Sequence, residues 1–171
     1  MRNNMEHIIP EQSLDLYIRP ASLDDANAMN RLIMMSFGPG RFAKTAERFR
    51  EDPKRVLGPS LVATRGSLLV GVVLTHKLRD ELGHQGLFLG PLAVRPVEQQ
   101  RGTGARLMQE IMSLPSHDWI LLIGDLSFYG RIGFQKMPHA VKLPTPTNPD
   151  KILYYSRNGV MPGHHFRHVA A

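Results

Sequence analysis

The chain has 171 residues, 42% of them hydrophobic, which is enough for one compact domain with a substantial core and too short for two. With no cysteine, disulfides, thiolate nucleophiles and cysteine-ligated metals are excluded, and the net charge of +6 favours an anionic partner. Nucleic acid, an acidic membrane surface and a small polyphosphate ligand all fit that charge, but the basic residues are scattered and form no Lys/Arg block, which argues against a nucleic-acid face.

The longest apolar runs, 68–74 and 119–123, fall well below the roughly 18 residues that a transmembrane helix needs. The opening MRNNMEHIIPEQ lacks the apolar stretch of a secretory signal, so a cytoplasmic location and no membrane partner are expected.

Leu14, Leu16 and Ile18 alternate with Asp15, Tyr17 and Arg19, predicting a first strand that ends at Pro20. Ser22 and Asp25 form a capping pair ahead of Met29, Leu32, Ile33 and Phe37, which recur at helical spacing up to Gly38. Phe42, Ala46 and Phe49 predict a second short helix, with Arg41, Lys44, Arg48 and Arg50 around its other sides and Pro53 as its stop. Residues 61–64 and 68–76 predict an antiparallel hairpin turning at Arg65-Gly66-Ser67. A loop over 79–85 leads to a fourth strand, 87–94, in which Pro91 cannot donate a ladder hydrogen bond, so the strand must be locally distorted.

A helix opening at Gly102, with Leu107, Met108, Ile111 and Leu114 as its buried stripe, precedes a continuous apolar strand at 119–123. A short helix at 126–132, an extended 134–137, a proline-rich connection over 138–149 and a strand at 151–156 complete the expected core, 14–157. Pro144-Thr145-Pro146 is expected to be extended and exposed, and residues 1–13 and 158–171 to be terminal extensions, with the tail from Gly159 loose. Strand pairs followed by a βαβ unit indicate a mixed sheet in a single domain spanning 1–171.

Between the fourth strand and its helix lies Gln99-Gln100-Arg101-Gly102-Thr103-Gly104-Ala105. Unpaired N–H groups and the positive end of a helix dipole make such a turn a pyrophosphate cradle; a glycine-rich helix entry without a ligand is the alternative. Gly102 and Gly104 let oxygens approach the main chain, and Arg101 and the Thr103 hydroxyl can add outer contacts. A dinucleotide fingerprint fails, because Leu107 stands where its third glycine belongs and seven residues separate Val94 from Gly102. A Walker A reading of Gly38-Pro39-Gly40-Arg41-Phe42-Ala43-Lys44-Thr45 also fails, since Ala43 replaces its second glycine and a helix precedes it.

Gln99-x-x-Gly102-x-Gly104 resembles the acyl-CoA motif of the GNAT superfamily, Arg/Gln-x-x-Gly-x-Gly/Ala. Gly90-Pro91-Leu92-Ala93-Val94-Arg95-Pro96 resembles that family's fourth strand, and Phe128-Tyr129-Gly130-Arg131-Ile132-Gly133-Phe134 its Phe-Tyr-x-x-x-Gly-Phe segment. The resemblance covers 14–156. It implies an α/β (α+β) GNAT-like fold, a mixed and mostly antiparallel sheet of six to seven strands flanked by about four helices. It implies an acetyl-CoA-dependent N-acetyltransferase acting on a small-molecule or peptide amine, with no metal and with room for a homodimer; a non-catalytic acyl-CoA-binding module is the alternative. Leu92, Ala93 and Val94 would pair with pantetheine, and Gln99, Gln100, Arg101, Gly102, Thr103, Gly104 and Ala105 would hold the pyrophosphate. Ser127 would add a contact to CoA; a helix-start serine without a ligand is its alternative reading.

By the same resemblance Tyr129 is the proton donor to the departing thiolate, a phenol being protonated at neutral pH with an ordinary pKa of about 10. Packing against CoA is its alternative role. The glutamate that many relatives carry on the fourth strand is missing among Leu87, Phe88, Leu89 and Leu92, which leaves the base open, with His76 and His84 as candidates and a bound water or an already neutral amine as substitutes. Asp125 replaces the family's asparagine after the fifth strand and is expected to cap the short helix. His164, His165 and His168 would sit at metal-binding spacing only if helical, and no acidic or cysteine ligand joins them.

Overall fold

A computed structural model describes residues 15–40, 45–52 and 57–169. Leu14, Arg41, Phe42, Lys44, Pro53 and the N-terminal extension lie outside the described residues, as does half of the Walker-like stretch, 41–44 of 38–45.

Among the described residues there are eight strands: β1 (Leu16–Pro20), β2 (Leu61–Arg65), β3 (Leu68–Asp80), β4 (Gln85–Val94), β5 (Trp119–Ile123), β6 (Gln135–Lys136), β7 (Ile152–Ser156) and β8 (Phe166–His168). They form one sheet in the order β1-β2-β3-β4-β5-β7-β6, antiparallel throughout except for the parallel β4–β5 pair, with β8 added on β3. Four α-helices among the described residues flank it: α1 (Ala26–Phe37), α2 (Thr45–Glu51), α3 (Thr103–Ser113) and α4 (Leu126–Tyr129). The mixed sheet and four helices agree with the expected architecture; β8 supplies the strand beyond seven.

Strand alternation sorts the core into two faces. Leu61, Ala63, Val70, Val73, Leu87, Leu89, Ile120 and Leu122 meet Leu107, Met108 and Ile111 of α3 on one side. On the other, Val62, Val72, Leu74 and Ala93 receive Leu32 and Ile33 of α1, while Phe88, Leu121 and Trp119 pack with Phe49 of α2. Each Leu or Ile buried in this way contributes about 1.5–3 kcal/mol of transfer free energy. Strands β4 and β5 are covered on both faces, which is why they are continuous apolar runs.

The Ser22–Asp25 pair forms, with Asp25 Oδ2 accepting from the Ser22 N–H at 2.8 Å. Arg19 of β1 binds the same carboxylate at 2.7 Å and holds it well below the usual carboxylate range.

The loop expected over 79–85 is present but shorter, since β3 runs to Asp80 and β4 starts at Gln85, and the expectation of a loose tail is corrected. The connection over 79–85 is a tight turn, because Asp80 is buried and its carboxylate accepts the N–H groups of Leu82 and His84 at 3.0 and 2.9 Å. Asp80 also accepts the Gly163 N–H at 3.1 Å, which draws the C-terminal segment onto the sheet. That segment is therefore not loose: Phe166, Arg167 and His168 pair with Asp80, Arg79 and Leu78. Extended backbone there removes the helical spacing that would bring His164 and His168 together, and among the described residues no cluster of three or more His, Cys, Asp or Glu is placed to hold a metal. No helix among the described residues is long and apolar enough to cross a membrane.

Candidate active site

The parallel pairing of β4 with β5 runs from Gly86↔Trp119 to Leu89↔Leu122 and stops there. Beyond it β4 stays on β3 through Val94, while Ile123 of β5 pairs with Ile152 of β7, so the two strands diverge and open a cleft. Gly90-Pro91, joined by a cis peptide, lies where they part, opposite an irregularity in β3 between Val73 and Thr75. The distortion expected from Pro91 is present. The Arg95 N–H bonds to Val70 O of β3 at 2.9 Å. Since backbone groups of successive strand residues point to opposite edges, those of Leu92 and Val94 face the cleft.

Two adjoining cavities occupy the cleft and share Phe37 and Leu92 in their walls. One, of about 490 Å³, is lined by Leu92, Ala93 and Val94 of β4, by Gln99, Gln100, Gly102, Thr103, Gly104 and Ala105 of the turn, and by Phe128. Gly102 takes φ +79° at the N-cap of α3, a left-handed conformation that glycine adopts without steric cost. The first main-chain bond back into the helix comes from Arg106 N–H to Gly102 O at 2.9 Å. The N–H groups before it lie in the first turn, where helical geometry leaves them without an intrahelical acceptor. With the positive pole of an 11-residue helix behind them, they suit the phosphates of a CoA, and the open edge of β4 suits the amides of its pantetheine.

The other cavity, of about 450 Å³, lies on the α2 side and includes Tyr129, Glu47, Asp125 and Lys151 in its wall. One turn of α4 thus presents Phe128 to the first cavity and Tyr129 to the second, their rings 4.9 Å apart and perpendicular. Burial pushes the Tyr129 phenol up to about 12, with the Asp125 carboxylate adding to the shift, so it is a protonated donor at neutral pH. Gly124 fixes the ring: a Cβ there would stand 2.2 Å from Tyr129 Cε2. Gly124→Ala is expected to push the ring aside and lower kcat by about tenfold or more, because a misplacement of 1 Å can cost about 10²-fold. Binding of CoA to the neighbouring cavity should change little, a split that steady-state kinetics and calorimetry would measure together.

No family model and no curated protein matches the sequence. Solved structures do match. The chain is similar to a GNAT family N-acetyltransferase (YhbS) from Escherichia coli, solved in complex with CoA, at 23% identity and a TM-score of 0.72, covering 92% of this chain and 91% of that one. It is similar to a GNAT family acetyltransferase from Brucella melitensis, solved with acetyl-CoA, at 20% identity and a TM-score of 0.69, covering 91% and 97%. Naa50 of Arabidopsis thaliana, solved with the bisubstrate analogue CoA-Ac-MVNAL, matches at 14% identity and 0.58 over 83% and 99%. The chain has the GNAT fold.

Of the residues that the GNAT motifs single out, Leu92, Ala93, Val94, Gln99, Gln100, Gly102, Thr103, Gly104 and Ala105 meet in one cavity and Tyr129 stands in the next. Ser127 is exposed and lines neither cavity, because its helical position points between Leu126 and Phe128 towards solvent. Arg101 also lies outside both linings; its guanidinium is 3.5 Å from Glu98. The Thr103 hydroxyl donates to Glu98 Oε2 at 2.9 Å, so its proton is engaged within the protein. Asp125 occupies the N-cap of α4, but its carboxylate bonds to Lys151 and makes no side-chain cap. His76 is buried, stacked on Phe49 at 6.2 Å, and His84 sits at the far turn, 3.2 Å from Asp80; neither lines the cleft.

Two carboxylates escaped the sequence reading. Glu98 is buried at the GNAT turn and belongs to the wall of the first cavity, accepting from Arg65 Nε and Nη2 at 2.7 and 3.1 Å as well as from Thr103. Arg65 and Thr103 together hold its carboxyl below the usual range, Arg65 most strongly. This clamp ties β2 to the start of α3 and holds the cradle in place. Glu47 of α2 is also buried, with its carboxylate 3.1 Å from Arg50, and it lines the second cavity. A helix of mixed charge gave no sign that one of its acids faces inward; the i,i+3 spacing of Glu47 and Arg50 was the available signal.

Proposed function

We propose that the protein is an N-acetyltransferase that moves the acetyl group of acetyl-CoA to a primary amine, acting in the cytoplasm by direct transfer without a covalent enzyme intermediate. The observation that carries this reading is the pair of cavities meeting at Leu92: an anion cradle and an open strand edge in one, a protonated phenol in the other. Acetyl-CoA occupies the first, its pyrophosphate on the N–H groups of 102–105 and its thioester at the junction. The neutral amine attacks the thioester carbonyl from the second cavity. A main-chain N–H of the cleft-facing edge, at Leu92 or Val94, receives the developing oxyanion. As the C–N bond forms and the C–S bond breaks, Tyr129 gives its proton to the thiolate, and the proton lost by the new amide nitrogen restores the phenol through solvent.

Support from similar proteins lies in the CoA and acetyl-CoA held by the E. coli and B. melitensis proteins and in the bisubstrate analogue held by Naa50. An aminoglycoside acetyltransferase from an uncultured soil metagenomic sample, 16% identical with a TM-score of 0.56, shares the fold over 78% of this chain and 100% of its own. Hydrogen exchange tests the donor site directly. Adding acetyl-CoA should slow exchange at the amides of 102–105 and of Leu92 and Val94; unchanged exchange there at saturating acetyl-CoA refutes the reading.

A further inference from the structure

Two segments meet in the wall of the second cavity. Helix α2 reaches the cleft at Ala46, where a Cβ on Gly90 would stand 3.3 Å from the Ala46 Cβ, and runs back along β4, with the Phe49 ring 4.4 Å from that of Phe88. The proline-rich segment brings Thr145, Pro146 and Thr147 to the same cavity. The Thr45 hydroxyl bonds with that of Thr145 and lies 3.2 Å from that of Thr147, joining the two walls. Thr145 is half-buried, against the exposed strap expected from its sequence, while Pro144 and Pro146 are exposed.

Away from the cleft, both segments are fastened to one stretch of chain, 163–168. That stretch is seated on the turn between β3 and β4: Asp80 accepts the Gly163 N–H at 3.1 Å, and Glu81 accepts those of His164 and His165 at 2.8 and 2.9 Å. From there His164 takes hold of the strap. Its Nδ1 donates to Ala140 O at 2.8 Å, its carbonyl accepts the Lys142 N–H at 2.9 Å, and its ring lies 4.1 Å from that of His139. His168 takes hold of α2, with its Nε2 3.1 Å from Asp52 Oδ2 and its ring edge-on to Phe49 at 5.6 Å. These contacts close a ring through Thr45, Thr145, His164, His168 and Phe49, so displacing either wall breaks at least one of them.

Resting on the acetyltransferase reading, which assigns the second cavity to the acceptor, we infer that residues 163–168 are the clasp of the acceptor site, with His164 and His168 as positioning residues that hold the strap and α2 together around the amine. Neither histidine lines that cavity, so each acts through the wall it holds and not by touching the amine. Walls held in a closed frame lose less conformational freedom when the acceptor enters, so the frame favours binding. The donor site has a separate support, since its turn is held by Glu98 and Arg65. Two of the histidines that the sequence sets at metal-binding spacing thus have a mechanical part in the acceptor site.

The test uses the best acceptor of a broad amine panel that includes 2-phenylethylamine, spermidine and a tetrapeptide N-terminus. Its kinetics are measured at saturating acetyl-CoA in the wild type, His164→Ala, His164→Asn, His168→Ala and His168→Gln, with acetyl-CoA affinity measured separately by calorimetry. Each alanine variant should raise KM for the amine about three- to tenfold, the worth of one hydrogen bond, with kcat and the acetyl-CoA affinity within about twofold of the wild type. His164→Asn keeps a donor for Ala140 O and His168→Gln keeps one for Asp52, so both should recover most of the lost KM. Hydrogen exchange should quicken at the Lys142 amide in His164→Ala and over 49–52 in His168→Ala. An unchanged KM in either alanine variant, no recovery in the conservative ones, or an acetyl-CoA affinity that falls as far as KM rises would overturn the inference while leaving the acetyltransferase reading standing. Acetyl-CoA that fails to bind the wild type, or that binds with no amine acetylated, would defeat both.

Discussion

Tyr129→Phe is expected to lower kcat by about 10²- to 10⁴-fold, the usual contribution of a positioned general acid. The affinity for CoA should hold, because Tyr129 lines the acceptor-side cavity and not the one beside the turn. The ring packs on Phe134 with centroids 5.8 Å apart, and phenylalanine keeps that contact, so a fall in kcat reports the hydroxyl and not the fold. The pH dependence has a definite sign. With its pKa pushed up to about 12, the phenol remains protonated across the neutral and mildly alkaline range, so Tyr129 gives the rate no alkaline limb below that value. A packing role predicts instead that Tyr129→Phe is close to wild type. The same shift bears on stability: a folded pKa near 12 against about 10 unfolded contributes stability that is fully present below pH 10 and is lost as pH rises towards 12.

Glu98→Ala carries the second large effect, on stability and on the donor site together. Removing one partner of a buried pair costs about 3–5 kcal/mol, since the other charge is left uncompensated. Here the group left behind is Arg65, whose side chain is 15% exposed but keeps the charge of Asp15 nearby, so the loss should lie towards the lower end of that range. Urea unfolding should show that loss. The acetyl-CoA affinity of the protein that remains folded should fall as well, because Glu98 anchors Thr103 at the first position of α3. Glu98→Gln keeps the shape and part of the hydrogen bonding, so its losses should be smaller on both scales. The linkage runs opposite to that of Tyr129: Glu98 has a depressed pKa, so its contribution is present above the ordinary carboxylate range and is lost as pH falls through the folded value.

The contrast between Glu98 and Gly102 shows what the sequence carried. Gly102 and Gly104 mark the cradle through local chemistry, a turn followed by the apolar stripe of Leu107, Met108 and Ile111, and local chemistry is legible in one dimension. Glu98 acquires its role from Arg65, 33 residues earlier, and nothing near either residue announces the pairing. The sheet behaved similarly. Strands β1 to β5 and β7 carry the alternation or continuous apolar runs imposed by one or two buried faces. Strand β8 has three residues, Phe166-Arg167-His168, and is held by the turn at Asp80 instead of by a pattern of its own. In the candidate site Tyr129 was legible from its segment, whereas Glu47 and Thr145 were not, because a helix and a segment about 100 residues apart meet over the cavity only in the folded chain.

On the proposed function, acetyl-CoA in the Leu92–Ala105 cleft donates its acetyl group to an amine in the adjoining cavity. Release of CoA thiol from acetyl-CoA across a broad amine panel, with the acetylated amine quantified by mass spectrometry, tests it most directly. Thiol and amide formed in equal amounts, in the wild type and at least about 100-fold more slowly in Tyr129→Phe, is the predicted result. Tight acetyl-CoA binding with no amide formed from any amine would contradict it and leave an acyl-CoA-binding module in its place.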